Sequence, residues 1–198
     1  MTTPLLLPLV VLLGLPGSGK STVGRALATL PTYIHVSSGE IFRGMDVESD
    51  LGRDIKRRID AGGLVPDELA VQAWLQHVHG LVSAGVFDPK SQHLLSDGMP
   101  RTVAQVQLLQ DHVHVSAVLF MDVSDEQELV GRLLERGEQG GRADDRDVHA
   151  VRDRIALHRR QVLPVLEAYR PGLCHTVEAG GTPVRTLANA ATALAGVF

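Results

Sequence analysis

A glycine-rich run carries the clearest chemical signal in the sequence. Residues 14–21 read GLPGSGKS, the Walker A pattern in which Gly14, Gly19, Lys20 and Ser21 have fixed spacing. A strand is predicted before the run and a helix after it, so backbone N–H groups and the positive end of the helix dipole converge on one point and stabilise an anion. Lys20 is expected to reach the β- and γ-phosphates of a nucleotide, and the Ser21 hydroxyl is expected to contact Mg²⁺.

Phosphoryl transfer requires positioning and charge neutralisation rather than a covalent catalyst. Two of the candidate cations, Arg132 and Arg136, are four residues apart on a predicted helix and therefore share a face. Each arginine alone is compatible with a solvated surface position, but a set of them around a phosphate loop favours a transfer site. The six candidates lie where predicted elements meet loops: Arg43, Arg101, Arg132, Arg136, Arg142 and Arg154.

Three aspartates are candidates for a role beside these cations. Asp97 ends an apolar predicted strand, at the sheet edge where ligands bind, and its carboxylate could hold Mg²⁺ directly or through water. The alternative for Asp97 is a turn-forming Asp-Gly pair. Asp144 and Asp145 are interpreted as a lid hinge, a polar pair on the magnesium side or a helix-capping pair, and their spacing does not choose among these.

The elements that must position these residues alternate along the chain. Apolar runs predict five strands, at 9–13, 33–36, 93–96, 115–121 and 173–177. Amphipathic segments predict helices at 20–30, 51–61, 67–82, 101–112, 125–136, 147–169 and 183–194, and residues 137–147 predict a polar loop. Strands that are apolar throughout indicate a parallel sheet with helices on both faces, which is an α/β fold.

Composition limits the classes of function. The 198 residues suit one domain, and a net charge of −4 gives no chain-wide basic surface for nucleic acid. The one cysteine, Cys174, excludes a disulfide framework within the chain and a cysteine-rich zinc site. The apolar stretch 5–13 is too short to span a bilayer, and no Lys or Arg precedes it as in a secretory signal. We therefore expect a cytoplasmic protein without a membrane partner.

These motifs resemble, in order, those of the adenylate kinase family of nucleoside monophosphate kinases. Beyond the phosphate loop, residues 37–43 (SSGEIFR) and 63–67 (GLVPD) are similar to the family's acceptor-binding segments, and residues 97–102 (DGMPRT) with Gln105 are similar to its most diagnostic stretch. Arg132 to Arg136, residues 141–145 (GRADD) and Arg154 resemble the short-lid version, which lacks a four-cysteine zinc cluster. The resemblance covers nearly the whole chain.

The resemblance implies a P-loop three-layer fold with an acceptor-binding insert at about 37–66 and a short lid at about 137–147. It implies ATP and AMP as substrates, Mg²⁺ and no zinc as cofactor, and a monomer. The implied catalytic residues are Lys20, Arg101, Arg136, Arg142 and Arg154. The implied ATP site contains Gly17, Ser18, Gly19, Lys20, Ser21, Thr22, Arg132 and Gly181, with Ser21 and Asp97 on the metal side. The implied AMP site contains Ser38, Arg43, Gly63, Leu64, Val65, Gly98, Arg101, Gln105, Arg142 and Arg154.

Two positions bear on the identity of the acceptor base. Ser38 replaces the family's usual Thr, where uridylate-type relatives carry Ala, and the retained hydroxyl favours AMP. A Gln105 amide can donate and accept at once, which suits adenine. The alternatives are a UMP/CMP kinase of the same fold, a nucleotide-binding regulatory protein with little catalysis, and a P-loop kinase of a small metabolite. Initial rates with AMP, UMP, CMP and GMP discriminate between the two kinases. Turnover compared with the affinity for ATP identifies a regulatory protein.

Overall fold

Five parallel strands form a single sheet in the computed structural model, which describes residues 6–60, 65–140 and 143–198. The order across the sheet is β2-β3-β1-β4-β5, and every pairing is parallel. This arrangement confirms the predicted α/β fold. The strands are β1 (Leu7–Gly14), β2 (Tyr33–Ser37), β3 (His93–Asp97), β4 (Val113–Asp122) and β5 (Cys174–Glu178).

Eight α-helices connect and cover the strands in the described residues. They are α1 (Lys20–Leu27), α2 (Ser38–Gly44), α3 (Asp50–Asp60), α4 (Asp67–Ser83), α5 (Val103–Leu109), α6 (Glu126–Glu138), α7 (Val148–Glu167) and α8 (Pro183–Ala195). Short 3₁₀ turns occur at Ala143–Arg146 and Pro171–Leu173. No helix in these described ranges is long and apolar enough to cross a membrane.

Several predicted boundaries differ from the structure: the helix predicted at 20–30 ends at Leu27, and the helix predicted at 101–112 ends at Leu109. Two further differences lie close to the site. The helix predicted at 101–112 begins only at Val103, because the Thr102 side chain caps it by accepting a hydrogen bond from the Gln105 N–H. The polar loop predicted at 137–147 is partly helical, since α6 continues to Glu138 and the turn Ala143–Arg146 follows. Gly137 permits this packing, because a Cβ atom there would lie 2.8 Å from the Asp145 carbonyl oxygen.

The strand β1 supplies both halves of the core because its side chains alternate between the faces of the sheet. Leu9, Val11 and Leu13 pack with Trp74 of α4 on one face. Val10 and Leu12 pack on the other face with residues of α1, α6, α7 and α8. Each fully buried Leu or Val contributes roughly 1.5–3 kcal/mol from removal of apolar surface from water. The sheet is therefore a rigid support, and its carboxyl edge carries the site.

Candidate active site

The phosphate loop connects β1 to α1, and its glycines determine its shape. Gly14, Gly17 and Gly19 have positive φ angles of 145°, 83° and 89°, a region that residues with side chains rarely adopt. A Cβ atom on Gly14 would lie 2.6 Å from the Met121 carbonyl oxygen. Gly19 is the N-cap of α1, so the first residues of that helix form part of the anion-binding loop.

Lys20 is folded back over this loop. Its Nζ donates hydrogen bonds to the carbonyl oxygens of Gly14, at 2.9 Å, and Leu15, at 2.8 Å. Burial lowers the pKa of Lys20 to about 8, and the nearby carboxylate of Asp97 acts in the opposite direction. Phosphate oxygens are stronger acceptors than these carbonyls, so the ammonium group is available to a bound nucleotide.

Asp97 lies at the meeting point of three strand ends. It pairs in register with Leu12 of β1 and Ser37 of β2. The buried carboxylate accepts a hydrogen bond from the Ser21 hydroxyl, and its Oδ2 lies 3.7 Å from the His35 Nε2. Burial by itself raises the pKa of Asp97, but the contacts with His35, Lys20 and Ser21 together hold that pKa below its usual value. The carboxylate is therefore ionised at neutral pH.

The oxygens of Ser21 and Asp97 fit a Mg²⁺ ion that is held mainly by nucleotide phosphates. Mg²⁺ takes oxygen ligands and usually keeps several waters, so one hydroxyl and one carboxylate suffice beside phosphates. Within the described residues, no group of three or more His, Cys, Asp or Glu side chains could hold a metal ion on its own. Ser21 and Asp97 would therefore be the protein's oxygen ligands for a Mg²⁺ ion that arrives with nucleotide phosphates.

Arg101 follows β3 and is fixed by the turn that precedes it. Its Nε donates to the Gly98 carbonyl oxygen at 2.8 Å, and its Nη2 donates to the Ser38 Oγ at 3.4 Å. Ser38 in turn donates to the same carbonyl at 2.7 Å. Gly98 has a φ of 80°, and a Cβ atom on it would lie 2.7 Å from the Ser38 Oγ. The buried Ser38 hydroxyl therefore orients a cation.

The buried carboxylate of Asp145 holds two arginines of the cleft. Arg136 binds it with both Nε, at 2.7 Å, and Nη2, at 3.0 Å. Arg154 contacts Asp145 as well, and its Nη1 donates to the Asp144 Oδ2 at 2.5 Å. Burial raises the pKa of Asp145, but these two guanidinium groups outweigh it and lower that pKa to about 2. The helix-capping interpretation of the Asp144–Asp145 pair is wrong, because Asp147 caps α7, and the pair instead forms ion pairs with Arg136 and Arg154.

Arg132 of α6 is fixed between the phosphate loop and the turn before α8. Its Nη1 donates to the Gly17 carbonyl oxygen at 3.1 Å, and its Nη2 donates to those of Ala179 and Gly181, both at 2.9 Å. Glu128, one helical turn earlier, accepts from Arg132 at 2.6 Å and from the Gly181 N–H at 2.7 Å. This network joins α6 to the turn before α8 and holds the guanidinium plane in place.

Gln105 is 5% exposed and is bound at both ends of its amide. Its Oε1 accepts from the Arg101 backbone N–H at 2.7 Å, and its Nε2 donates to the Asp67 Oδ1 at 2.7 Å. The amide thus connects the turn after β3 with the first residue of α4. Its orientation is fixed by these two partners.

The elements enclose a cleft of about 1310 Å³ at the carboxyl edge of the sheet. This volume exceeds the range of roughly 300–1,000 Å³ that is usual for a single small ligand. The phosphate loop lines one part and the start of α2 another. The arginines that line it are Arg25, Arg43, Arg101, Arg132, Arg136 and Arg154.

The sequence was compared with a family model and with known proteins, and both comparisons find adenylate kinases. The family model described as adenylate kinase matches residues 12–172. An adenylate kinase of Parabacteroides distasonis is 36% identical over 168 residues, which cover 81% of this chain and 83% of that protein. One from a Nocardioides species is 36% identical over 179 residues, 87% of this chain and 89% of the relative. The chain belongs to the adenylate kinase family.

The structure brings most of the residues implied by the adenylate kinase resemblance into the cleft. Arg142, Gly63 and Leu64 lie outside the described residues. Among the described ones, Ser18, Ser38, Val65 and Gln105 do not line the cleft. Those that line it are Gly17, Gly19, Lys20, Ser21, Thr22, Arg43, Asp97, Gly98, Arg101, Arg132, Arg136, Arg154 and Gly181.

Several residues of the site were not predicted from the sequence. His158 lines the cleft, and its Nδ1 lies 2.9 Å from the Arg154 carbonyl oxygen. Its spacing of four residues from Arg154 on a helix was a usable signal, as was that of Glu128 before Arg132. Asp67 lies in the predicted segment 63–67, but its bond to Gln105 and the contact of His35 with Asp97 had no such signal, because these partners lie far apart in the sequence.

Proposed function

We propose that the protein transfers a phosphoryl group reversibly from MgATP to AMP and forms two molecules of ADP. The observation that carries this proposal is one cleft in which a phosphate loop faces arginines from the segments after β2 and β3 and from α6 and α7. A simple ATPase needs no second set of cations for an acceptor phosphate. The relatives named adenylate kinase support the same reaction.

In this proposal an oxygen of the AMP phosphate attacks the γ-phosphorus of ATP. The bond between that phosphorus and the β–γ bridging oxygen breaks, and ADP leaves with the electron pair. The attacking phosphate is already anionic, so the chain needs no general base. Mg²⁺, when bound with ATP, neutralises charge on the β- and γ-phosphate oxygens.

The residues of the cleft divide this work. Lys20 and the loop 17–22 hold the ATP phosphates, and Arg132 packs on the ATP base beside Gly181. Arg43 and Arg101 bind the AMP phosphate. Arg136, Arg142 and Arg154 neutralise the equatorial oxygens of the phosphoryl group in the transition state. Ser21 and Asp97 contact Mg²⁺ or its waters.

The remaining assignments concern the acceptor base and the surroundings of the enzyme. Gln105, Ser38 and the backbone of residues 63–65 receive the adenine of AMP. The family resemblance implies that the enzyme acts as a monomer. We place the enzyme in the cytoplasm, without zinc, nucleic acid or a membrane as partner.

A panel of acceptors tests this function. Initial rates with MgATP are measured for AMP, UMP, CMP and GMP, with and without a chelator of Mg²⁺. We expect AMP to give the highest kcat/KM and the chelator to abolish turnover. A preference for UMP or CMP would replace the proposal by a UMP/CMP kinase, and tight ATP binding without turnover on any acceptor would indicate a regulatory protein.

A further inference from the structure

The Gln105 amide has chemically different partners at its two ends. The backbone N–H of Arg101 can only donate a hydrogen bond, and the carboxylate of Asp67 can only accept one. The amide oxygen must therefore face Arg101 and the amide nitrogen must face Asp67, as the two distances of 2.7 Å indicate. In a flipped amide, the Nε2 donor would face the Arg101 N–H donor, and the Oε1 acceptor would face the Asp67 carboxylate, so neither hydrogen bond could form.

This arrangement leaves Gln105 with a defined hydrogen-bonding pattern. One lone pair on Oε1 and one N–H on Nε2 remain available after the bonds to Arg101 and Asp67. Adenine presents a donor at its 6-amino group and an acceptor at N1. A 6-oxopurine presents the reverse order, an acceptor at O6 and a donor at N1. An amide that cannot flip matches only one of these orders.

We propose that Asp67 is a specificity-determining positioning residue, which fixes the Gln105 amide so that it matches a 6-aminopurine and rejects a 6-oxopurine. This inference rests on the proposed function, in which Gln105 receives the acceptor base. Neither Asp67 nor Gln105 lines the cleft, and in the proposed complex Asp67 acts on the acceptor base only through Gln105. Because an unmatched polar group in a buried site costs more than a lost contact, the constraint on Gln105 contributes mainly to discrimination.

The structure offers a matched control one residue away. Glu68 is also acidic and also lies in the first turn of α4, but it is exposed. Substitution of either residue removes the same favourable charge from the helix N-terminus. Asp67→Ala and Glu68→Ala therefore differ in the bond to Gln105. Asp67→Asn keeps the size of the side chain and one acceptor oxygen, and serves as the conservative variant.

The test compares kcat/KM for AMP with that for inosine monophosphate, which carries the reversed donor and acceptor order. We expect Asp67→Ala to lower the ratio of the two values about tenfold and to leave the KM for ATP within about twofold. Glu68→Ala and Asp67→Asn are expected to keep most of the discrimination. Equal losses for both acceptors in Asp67→Ala would assign Asp67 a merely structural role and overturn the inference.

A double-mutant cycle gives a second readout. If Asp67 acts through Gln105, the double variant Asp67→Ala, Gln105→Ala has the same ratio of kcat/KM for AMP to kcat/KM for inosine monophosphate as Gln105→Ala alone. Additive effects would overturn the inference even if each single variant is less active. A wild-type protein that phosphorylates UMP or CMP rather than AMP would instead reject the proposed function, so the two failures are distinguishable.

Discussion

Single residues of the cleft are held by protein partners. Lys20 is bound to the phosphate loop, Arg132 to three backbone carbonyls, and Arg136 and Arg154 to Asp145. Side chains that are already ordered lose less conformational entropy when a ligand binds. In the proposed reaction they also present fixed positive charge where negative charge develops in the transition state, which is the usual source of electrostatic catalysis.

Lys20→Met keeps much of the side-chain length and removes the charge. We expect kcat to fall about 10²-fold or more, because stabilisation of the phosphoryl charge is lost, while the far-UV circular dichroism spectrum is unchanged. The matched control is Lys90→Met, since Lys90 is exposed and does not line the cleft. Steady-state rates near those of the wild type in Lys20→Met would contradict the role given to this lysine.

His158 predicts a dependence of stability on pH. Burial, together with the positive charges of Arg101, Lys20 and Arg154, lowers its pKa from 6.5 to about 4. Between these two values the unfolded chain binds a proton that the folded protein does not, so the free energy of unfolding falls as pH falls from 6.5 to 4. Above 6.5 the residue contributes no pH dependence.

His158→Gln removes this proton linkage. We expect the loss of Tm between pH 7 and pH 4 to be smaller in the variant than in the wild type, by about 3 °C. Other histidines and carboxylates contribute equally to both proteins and cancel in the comparison. Identical losses of Tm in the two proteins would show that His158 titrates normally in the folded state.

At the scale of elements, the contact between α6 and the turn Ala143–Arg146 positions Arg136 and Arg154, which both bind Asp145. A Cβ atom on Gly137 would lie 2.8 Å from backbone atoms of Asp145, whereas one on Gly131 of the same helix has no neighbour within 4 Å. Gly137→Ala is therefore expected to lower stability by about 1–3 kcal/mol and to lower kcat, because Arg136 and Arg154 move.

Gly131→Ala serves as the control for helix propensity. It is expected to raise stability by roughly 0.5–1 kcal/mol. Thermal unfolding of both variants checks the expected changes in stability, and steady-state kinetics checks the expected fall in kcat of Gly137→Ala. Full stability and activity in Gly137→Ala would mean that the turn does not pack against α6 in solution.

The sequence predicts the elements better than the contacts between them. The five strands could be found because each is a short apolar run, and the phosphate loop because its spacing is fixed by the nucleotide it binds. The ion pairs of Asp145 and the bond between Asp67 and Gln105 could not be found, because chain distance carries no information about such partners. The start of α5 at Val103 differs from the prediction, although Thr102 is a residue type that favours the N-cap position.

At the scale of the whole molecule, the cleft lies at the carboxyl edge of the sheet and is bounded by two regions. On the side of the proposed acceptor site lies α2, and on the side of the proposed lid lie α7 and the C-terminal part of α6. Water that reached the γ-phosphate would hydrolyse ATP, so both regions are expected to close over bound nucleotides. We expect the free energy for closure to come from contacts that the phosphates make with arginines of both regions.

Hydrogen exchange measured by mass spectrometry tests this closure. A bisubstrate analogue that joins two adenosines through five phosphates is expected to slow exchange strongly in α2, α3 and the turn Ala143–Arg146. ATP alone is expected to protect the turn more than α2 and α3. The buried strand β4 is the internal control and keeps its rate. Equal exchange with and without the analogue would exclude closure of either region.

A ribosome delivers β1 before either of the strands that flank it in the sheet. Its neighbours β3 and β4 begin only at His93 and Val113. The apolar strand β1 therefore has no pairing partner while α2, α3 and α4 are being synthesised. Pairing between distant segments is slow and exposes apolar strands to aggregation. Nascent chains stalled before Val113 are therefore expected to be protease-sensitive and to depend on chaperones, whereas chains released after β4 can complete the centre of the sheet.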